Sequence, residues 1–232
     1  MSNTFIISAP SGSGKTTLAN MLVKRVPHLL FAVSYTTRKR RTNEEDGREY
    51  FFVAEDEFKR MVERDQFLEH ACVYGNYYGT PLRFVSEAEA QGKDLLLDID
   101  VQGEEQIKRK APKAVSIFIL PPSREVLEQR LRSRGDTYSA KIDSEETIQR
   151  RLQTAGKEIE KYPNYDYILV NNELEPSFTF LEAIVDVERC LRAGKPADPR
   201  KLRLAEECRR SNMQPKAESV LKSFQLSAAP QR

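Results

Sequence analysis

The chain has 232 residues, 39% of them hydrophobic and 31% charged, and a formal net charge of +2 at pH 7. This length suits one α/β domain with insertions or two small domains, with enough apolar side chains for a core. The nearly balanced charge gives no reason to expect nucleic-acid binding, and no apolar run is as long as a membrane span.

Cysteine spacing and the start of the chain indicate the compartment. Cys72, Cys190 and Cys208 fit neither a zinc spacing nor a disulfide framework. The first predicted strand begins within a few residues of the N-terminus, which leaves no length for a signal peptide. We therefore expect a cytoplasmic protein with reduced thiols and no membrane partner.

A phosphate-binding loop is predicted at residues 9–16, which read Ala-Pro-Ser-Gly-Ser-Gly-Lys-Thr between a short strand and an amphipathic helix. Gly12 and Gly14 let the backbone turn so that successive N–H groups face one anion, and the helix N-terminus adds its dipole. Lys15 can reach the outer phosphates, and Thr16 offers a hydroxyl to Mg²⁺. The loop therefore predicts binding of a nucleoside triphosphate.

Residues 34–83 are predicted to form a β-rich insertion, which opens with a hydroxyl-rich stretch and four consecutive basic residues, 38–41. Such a run is either solvated or bound to an anion, because adjacent cations repel one another. Its place just after a predicted strand favours an anion site, since arginine meets phosphate oxygens bidentately. About half of the insertion's tyrosines are expected to be structural, because aromatic residues favour strands. The four tyrosines concerned are Tyr50, Tyr74, Tyr77 and Tyr78.

A buried strand over residues 94–100 carries carboxylates at its C-terminal end. An apolar run followed by aspartate, downstream of a phosphate-binding loop, is typical of a Mg²⁺ site. Asp98 or Asp100 could instead cap the next helix, and the two interpretations are compatible because there are two aspartates. We expect at least one of them to contact metal or nucleotide.

Two arginine-bearing helices follow, joined by a polar loop, and predict a mobile lid. Arg130 and Arg134 lie four residues apart on the first helix, where like charges repel unless an anion binds between them. The second helix is predicted to open at a capping box starting at Asp143 and carries Arg150 and Arg151. Solvent-facing arginines are the alternative interpretation.

Beyond residue 193 the composition changes to proline and charged residues, with a weak helical stretch and a polar end. We expect a basic tail, partly disordered, that docks either on the body or on a second subunit. The second alternative would make the protein a homodimer, and the sequence does not decide between the two. The predicted divisions are core segments 1–33, 84–125 and 158–193, an insertion 34–83, a lid 126–157 and a tail 194–232.

These segments together resemble the bacterial guanylate kinases over about residues 4–190, in the same order and spacing. Each segment alone is a weak signal, but the set is specific to that family. The resemblance is carried by the loop 9–16, the stretches 34–41, 47–50 and 75–80, Glu69, the strand end 97–100, Arg130, 134–135, Arg151 and 170–171.

The resemblance implies an α/β fold with a parallel P-loop NTPase sheet, helices on both faces, a β-rich GMP-binding insertion and a helical lid. It also implies transfer of the γ-phosphoryl group of ATP to GMP, with Mg²⁺ as cofactor. Implied ATP-binding residues are Pro10, Ser11, Gly12, Ser13, Gly14, Lys15, Thr16, Thr17 and Asn171. Implied GMP-binding residues are Ser34, Arg38, Arg41, Tyr50, Glu69, Tyr78, Thr80, Asp98 and Asp100. Implied catalytic residues are Lys15, Arg41, Arg130, Arg134 and Arg151, and implied metal ligands are Thr16 and Asp100.

Physical chemistry agrees with the role implied for Glu69. An ionised carboxylate only accepts hydrogen bonds, so it can take the two adjacent donors of guanine, N1–H and the 2-amino group. Adenine puts an acceptor beside its amino group and would leave a buried carboxylate partly unpaired, which gives strong discrimination.

The chain also departs from the family's pattern. Ala9 replaces the first glycine of the loop, Arg40 replaces a proline, residues 137–142 lengthen the lid, and the tail is longer. Two alternatives stay open: an interaction domain of this fold that binds proteins, and a P-loop kinase for another small phosphate ester. The intact phosphate-binding residues argue against the first, and the second would not need Glu69 and Ser34 to read a base.

Overall fold

The computed structural model describes residues 2–138 and 144–226, without side chains for 134–138 and 226. Its centre is a sheet of five parallel strands in the order β2-β7-β1-β8-β9. These strands are β1 Thr4–Ser8, β2 Leu29–Phe31, β7 Asp94–Asp98, β8 Val115–Leu120 and β9 Tyr167–Val170. All five are short and rich in β-branched and aliphatic residues, as expected for strands buried on both faces.

The helices lie on both faces of this sheet, because alternate side chains of each strand point to opposite faces. Phe5 and Ile7 of β1 belong to one apolar cluster, while Ile6 belongs to another. The first face is covered by α1 Lys15–Arg25, α7 Leu174–Arg192 and α8 Pro199–Glu207. The second is covered by α3 Arg83–Ala90, α4 Val101–Lys110, α5 Arg124–Tyr138, α6 Glu145–Ile159 and α9 Arg210–Leu226. The predicted fold class is confirmed.

A second sheet lies within the predicted insertion, in the order β4-β3-β6-β5. Its strands are β3 Tyr35–Thr36, β4 Phe51–Phe52, β5 Phe67–Val73 and β6 Asn76–Pro81, and α2 Glu55–Glu63 packs against it. Stacked rings of Phe58, Phe67 and Tyr77 form its small core. Tyr77 is therefore a packing residue, whereas Tyr50, Tyr74 and Tyr78 line a cavity.

The lid differs from the sequence expectation at both helix ends. α5 continues through Gly135 to Tyr138, into the segment where the sequence predicts the polar loop between the two lid helices. α6 is capped by Ser144, whose hydroxyl accepts a hydrogen bond from the Thr147 N–H over 3.3 Å, so the N-cap is wrong by one residue. Asp143 and most of the extra segment 137–142 lie outside the described residues.

The tail forms the helices α8 and α9 over residues 199–226 and docks on the body, one of the two docking sites that the sequence leaves open. Ala217, Val220 and Phe224 of α9 are buried against the lid helices and the sheet. The Ile168 N–H of the edge strand β9 donates to the Cys208 carbonyl over 2.8 Å, so the tail also covers that edge. Residues 227–232 lie outside the described part of the chain, and no helix within that part is long and apolar enough to span a membrane.

Candidate active site

A cavity of about 300 Å³ opens at the carboxyl ends of β1 and β7, the usual position for ligands in an open α/β sheet. Side chains from the phosphate-binding loop, the insertion, the end of β7 and the lid helix α6 meet there. Predicted site residues that line it are Pro10, Ser11, Gly12, Gly14, Lys15, Thr16, Ser34, Arg38, Arg41, Tyr50, Glu69, Tyr78, Asp98, Asp100 and Arg151.

The phosphate-binding loop has the backbone that its glycines predict. Gly12 and Gly14 have φ of 99° and 90°, a region that side chains disfavour, and α1 begins immediately afterwards at Lys15. A Cβ on Gly14 would also lie 2.4 Å from the Nδ2 of Asn171. Glycine is therefore required there for two independent reasons, and the helix N-terminus is open to an anion.

The Lys15 ammonium group lies within the cavity beside the end of β7. Its Nζ is 2.5 Å from an Asp98 carboxylate oxygen and donates to the Ile99 carbonyl over 2.9 Å. The Thr16 hydroxyl donates to the other Asp98 oxygen over 3.2 Å. Lysine, hydroxyl and carboxylate thus form one polar group at the base of the loop.

Asp100 serves as the N-cap of α4, accepting a hydrogen bond from the Gly103 N–H over 2.8 Å. It still lines the cavity. Both interpretations of this strand end therefore apply, each to a different aspartate: Asp100 caps the helix, and Asp98 contacts Thr16.

Glu69 lies at the insertion end of the cavity and is 3% exposed. One carboxylate oxygen accepts from both the N–H and the hydroxyl of Thr80, over 3.0 and 2.6 Å. Thr80 in turn shares a hydrogen bond of 3.1 Å with Ser34. Burial raises the pKa of Glu69 to about 7, aided by the negative charge of Asp100, while the bonds from Thr80 and the charge of Lys15 work against that rise.

Arg38 lies between the insertion's tyrosines and an acidic partner. Its guanidinium group pairs with Glu44 over 2.7 Å and stands 5.5 Å from the ring centre of Tyr50. The other Glu44 oxygen accepts from the Arg41 N–H over 2.9 Å. Although partial burial works against it, this pairing raises the pKa of Arg38 above its ordinary value.

Several predicted residues are not brought into the cavity wall. Arg130 donates to the Asn171 and Asn172 carbonyls over 2.9 and 3.1 Å, and burial lowers its pKa. Asn171 lies buried behind the loop. Ser13 and Thr17 lie outside the lining, and Thr80 acts through Glu69 and Ser34. The Arg134 side chain is outside the described residues.

Sequence reasoning missed Tyr74, Asn76, Arg150 and Glu158 in the lining, together with Glu44 behind it. Helical periodicity carries a signal for Glu158, because it follows the predicted Arg151 by two helical turns and so shares its face. Its Oε2 atom is buried with no hydrogen-bond partner, and burial raises its pKa to about 7. Arg150 precedes Arg151 directly, but which of two neighbouring arginines reaches a cleft depends on the helix orientation.

Comparison with known proteins identifies the family. The guanylate kinase family model matches residues 1–188. The guanylate kinase of Koribacter versatilis is 51% identical over 230 residues, covering 98% of this chain and 97% of that protein. The chain belongs to the guanylate kinase family.

Other guanylate kinases agree. That of Escherichia coli strain K12 is 48% identical over 187 residues, or 80% of this chain and 87% of that protein. The crystal structure of guanylate kinase from Anaplasma phagocytophilum superposes with a TM-score of 0.63 at 31% identity, covering 84% of this chain and 86% of that one.

The predicted resemblance and activity are therefore confirmed. The chain is an enzyme that phosphorylates GMP to GDP at the expense of ATP. Neither an interaction domain nor a kinase for another phosphate ester describes it.

Proposed function

We propose that ATP binds on the phosphate-binding loop and GMP in the insertion, so that the two phosphates meet between Lys15, Arg41 and the lid. The observation that carries this division is Glu69. It is a buried carboxylate on the insertion strand β5, with one oxygen already fixed by Thr80. A base-reading group there places the base of the acceptor nucleotide in the insertion.

Guanine is read by the remaining acceptor capacity of Glu69. A carboxylate has about four lone-pair sites, and Thr80 uses two of them. The others accept from guanine N1–H and the 2-amino group. Thr80 and Ser34 hold the carboxylate in place, so little reorganisation is needed when the base arrives.

The GMP phosphate is held by Arg38, Arg41, Tyr50 and Tyr78. Arg38 pairs with Glu44, so the phosphate competes with that carboxylate or joins it. A dianionic phosphate carries more negative charge and more acceptor oxygens than the Glu44 carboxylate, so it can accept charge-assisted hydrogen bonds from Arg38 and Arg41 together.

On the ATP side, the loop N–H groups and Lys15 bind the β- and γ-phosphates. Lys15 must exchange its 2.5 Å contact with Asp98 for phosphate oxygens, which leaves Asp98 available beside the Thr16 hydroxyl. We assign Asn171 to the support of this loop and the adenine side of the cleft.

The residues around Thr16 fit Mg²⁺. The Thr16 hydroxyl, Asp98 and Asp100 supply hard oxygen atoms on one side of the cavity, and Mg²⁺ commonly binds one or two carboxylates while keeping waters and phosphate ligands. Thr16 and Asp100 are the proposed ligands, with Asp98 nearer to Thr16. When bound, the ion neutralises charge on the phosphate oxygens of ATP.

Phosphoryl transfer demands positioning and charge stabilisation from the protein, and no covalent intermediate. Lys15, Arg41 and Arg151 surround the γ-phosphoryl group, with Arg130 and Arg134 as the predicted further lid arginines. The GMP phosphate oxygen attacks phosphorus as the bond to the ADP oxygen breaks. Lid closure excludes water, which would otherwise accept the phosphoryl group.

The test is ADP release from MgATP with GMP, IMP, AMP, CMP or UMP offered separately. We expect turnover with GMP, and kcat/KM for IMP lower by at least about 100-fold, because IMP lacks the 2-amino group. In Glu69→Gln this preference for GMP over IMP should largely disappear. An unchanged preference in the variant would refute the assignment of Glu69.

A further inference from the structure

Tyr74 occupies a backbone position that tyrosine disfavours. It forms the two-residue turn between β5 and β6 with Gly75, and their φ angles are 51° and 79°. A turn in which both central residues have positive φ prefers asparagine, aspartate or glycine. Tyr74 is also 36% exposed, so it is not held there by burial in the insertion's core. The reason for a tyrosine at this turn position must therefore lie in contacts that its side chain makes outside the hairpin.

The Tyr74 side chain reaches across the cavity mouth to the lid helix α6. Its ring centre is 5.6 Å from the guanidinium carbon of Arg150, within the range of a cation–π contact. Its hydroxyl is within hydrogen-bond reach of Thr154, one helical turn further along, and burial together with the nearby negative charge of Glu158 raises the pKa of Tyr74. Thr154 itself donates to the Arg150 carbonyl over 3.0 Å, so both lid contacts belong to one turn of α6.

We propose that Tyr74 is a positioning residue that latches the lid helix α6 onto the insertion. The contact joins elements about 76 residues apart in sequence, on opposite sides of the cavity. Arg151 follows Arg150 directly, so a lid held at Arg150 also holds Arg151 over the cleft. This inference rests on the proposed function for the role of Arg151, but the latch itself is a contact between two elements.

The strained turn is the cost of this latch. A tyrosine in the left-handed region persists only where the surrounding structure gains from its side chain, and such residues cluster at ligand clamps. Asparagine would suit the turn better but is too short to reach α6. Tyr74→Asn should therefore lower activity without lowering stability, because it relieves the strain in the turn and removes the contact with α6 at the same time.

The first measurement compares Tyr74→Asn with wild type in steady-state turnover and urea unfolding. We expect kcat/KM for GMP to fall about tenfold and ATP hydrolysis without GMP to rise relative to transfer, with an unfolding midpoint that is unchanged or higher. The matched control is His28→Asn, which replaces another exposed non-glycine residue with positive φ, 59°, outside the cavity lining. It should leave turnover unchanged. Equal turnover in Tyr74→Asn, or an unfolding midpoint that falls together with activity, would overturn the latch.

The second measurement asks whether Tyr74 acts through Arg150. In an Arg150→Met background, Tyr74→Asn should lower kcat/KM for GMP by no more than about twofold, because the Arg150 guanidinium that the ring contacts is gone. Tyr74→Phe should lower kcat/KM for GMP only by the part that the contact between the Tyr74 hydroxyl and Thr154 contributes. A full tenfold loss in the Arg150→Met background would refute the proposed partner.

The third measurement reports the latch without using catalysis. The exposed Cys72 on β5 and a cysteine introduced at the exposed Gln153 on α6 take spin labels, in a Cys190→Ser background. Tyr74→Asn should broaden and lengthen the distance between the labels in the ligand-free enzyme. An unchanged distance would refute the latch even if the proposed role of Arg151 holds, and a longer distance would support it even if that role fails.

Discussion

The side-chain amide of Asn171 donates a hydrogen bond to the Ser13 carbonyl over 2.7 Å, joining the end of β9 to the phosphate-binding loop. The same nitrogen fills the space where a side chain on Gly14 would lie. Asn171 is 2% exposed, so the bond is made away from water. Its position indicates that Asn171 fixes the shape of the loop from behind.

Asn171→Ala should weaken ATP binding more than GMP binding. Leaving a buried carbonyl without its partner costs about 1–3 kcal/mol, and part of that loss falls on the loop geometry that ATP needs. We expect the KM for ATP to rise about tenfold and the KM for GMP to change less than about twofold. Asn172→Ala, an exposed neighbour, is the control. Equal changes in both KM values would contradict a role confined to the loop.

Gly103→Ala should impair GMP use selectively. Gly103 lies in the first turn of α4, where alanine is normally the better helix former by about 1 kcal/mol. A Cβ there would, however, lie 2.5 Å from the free Glu69 oxygen Oε2, which must move. We expect kcat/KM for GMP to fall by about 10-fold or more with little change in the KM for ATP.

Gly156→Ala is the matched control, because it also places alanine at a helical glycine. The nearest atom to its Cβ is the Cβ of Phe224 at 3.6 Å, an ordinary contact. It should keep the kinetics of wild type. If both variants lose GMP turnover equally, the effect of Gly103→Ala is not due to Glu69.

GMP binding should weaken as the pH falls below about 7. Burial raises the pKa of Glu69 to about 7, so the carboxyl group becomes protonated below that pH. Guanine binding requires the ionised form, and each pH unit below 7 should therefore raise the KM for GMP by up to about tenfold. The GMP phosphate also titrates, near pH 6, as other phosphate monoesters do. Glu69→Gln retains the titrations of the GMP phosphate and of Glu158, which also lines the cavity and has a pKa raised to about 7, so subtracting its pH profile isolates the contribution of Glu69. Identical profiles would contradict the prediction.

The cavity could be predicted from the sequence where local chemistry alone fixes its parts. The loop 9–16 is such a case, because its glycine conformations, its lysine and the start of α1 follow from neighbouring residues. The carboxylates at the end of β7 are a second such case. Which aspartate caps a helix (Asp100) and which contacts Thr16 (Asp98), however, depends on how β7 lies beside β1. That register is a long-range property.

The parts that escaped prediction are those set by tertiary contacts. Tyr74 enters the cavity only because the insertion and α6 face each other, and no local pattern encodes that approach. Helical spacing places Glu158 on the same face of α6 as Arg151, but it does not show that this face turns toward the cavity. The sequence understates the helix in the tail for a similar reason. Pro215 inside α9 and the charged residues around it weaken the local helix signal, whereas packing against the lid and β9 stabilises the helix.

Phe224→Ala should therefore destabilise the whole enzyme, although Phe224 lies near the end of the tail. Its side chain is 8% exposed and belongs to the apolar cluster that joins α9 to α5, α6 and β9. Removing a buried phenyl ring typically costs about 3 kcal/mol, and urea unfolding should show that loss in the free energy of unfolding. Lys222→Ala, an exposed position on the same helix, should change it by less than about 0.5 kcal/mol. If Phe224→Ala were as mild as Lys222→Ala, α9 would be a dispensable attachment; a full loss would show that the tail is part of the cooperative core beneath the lid.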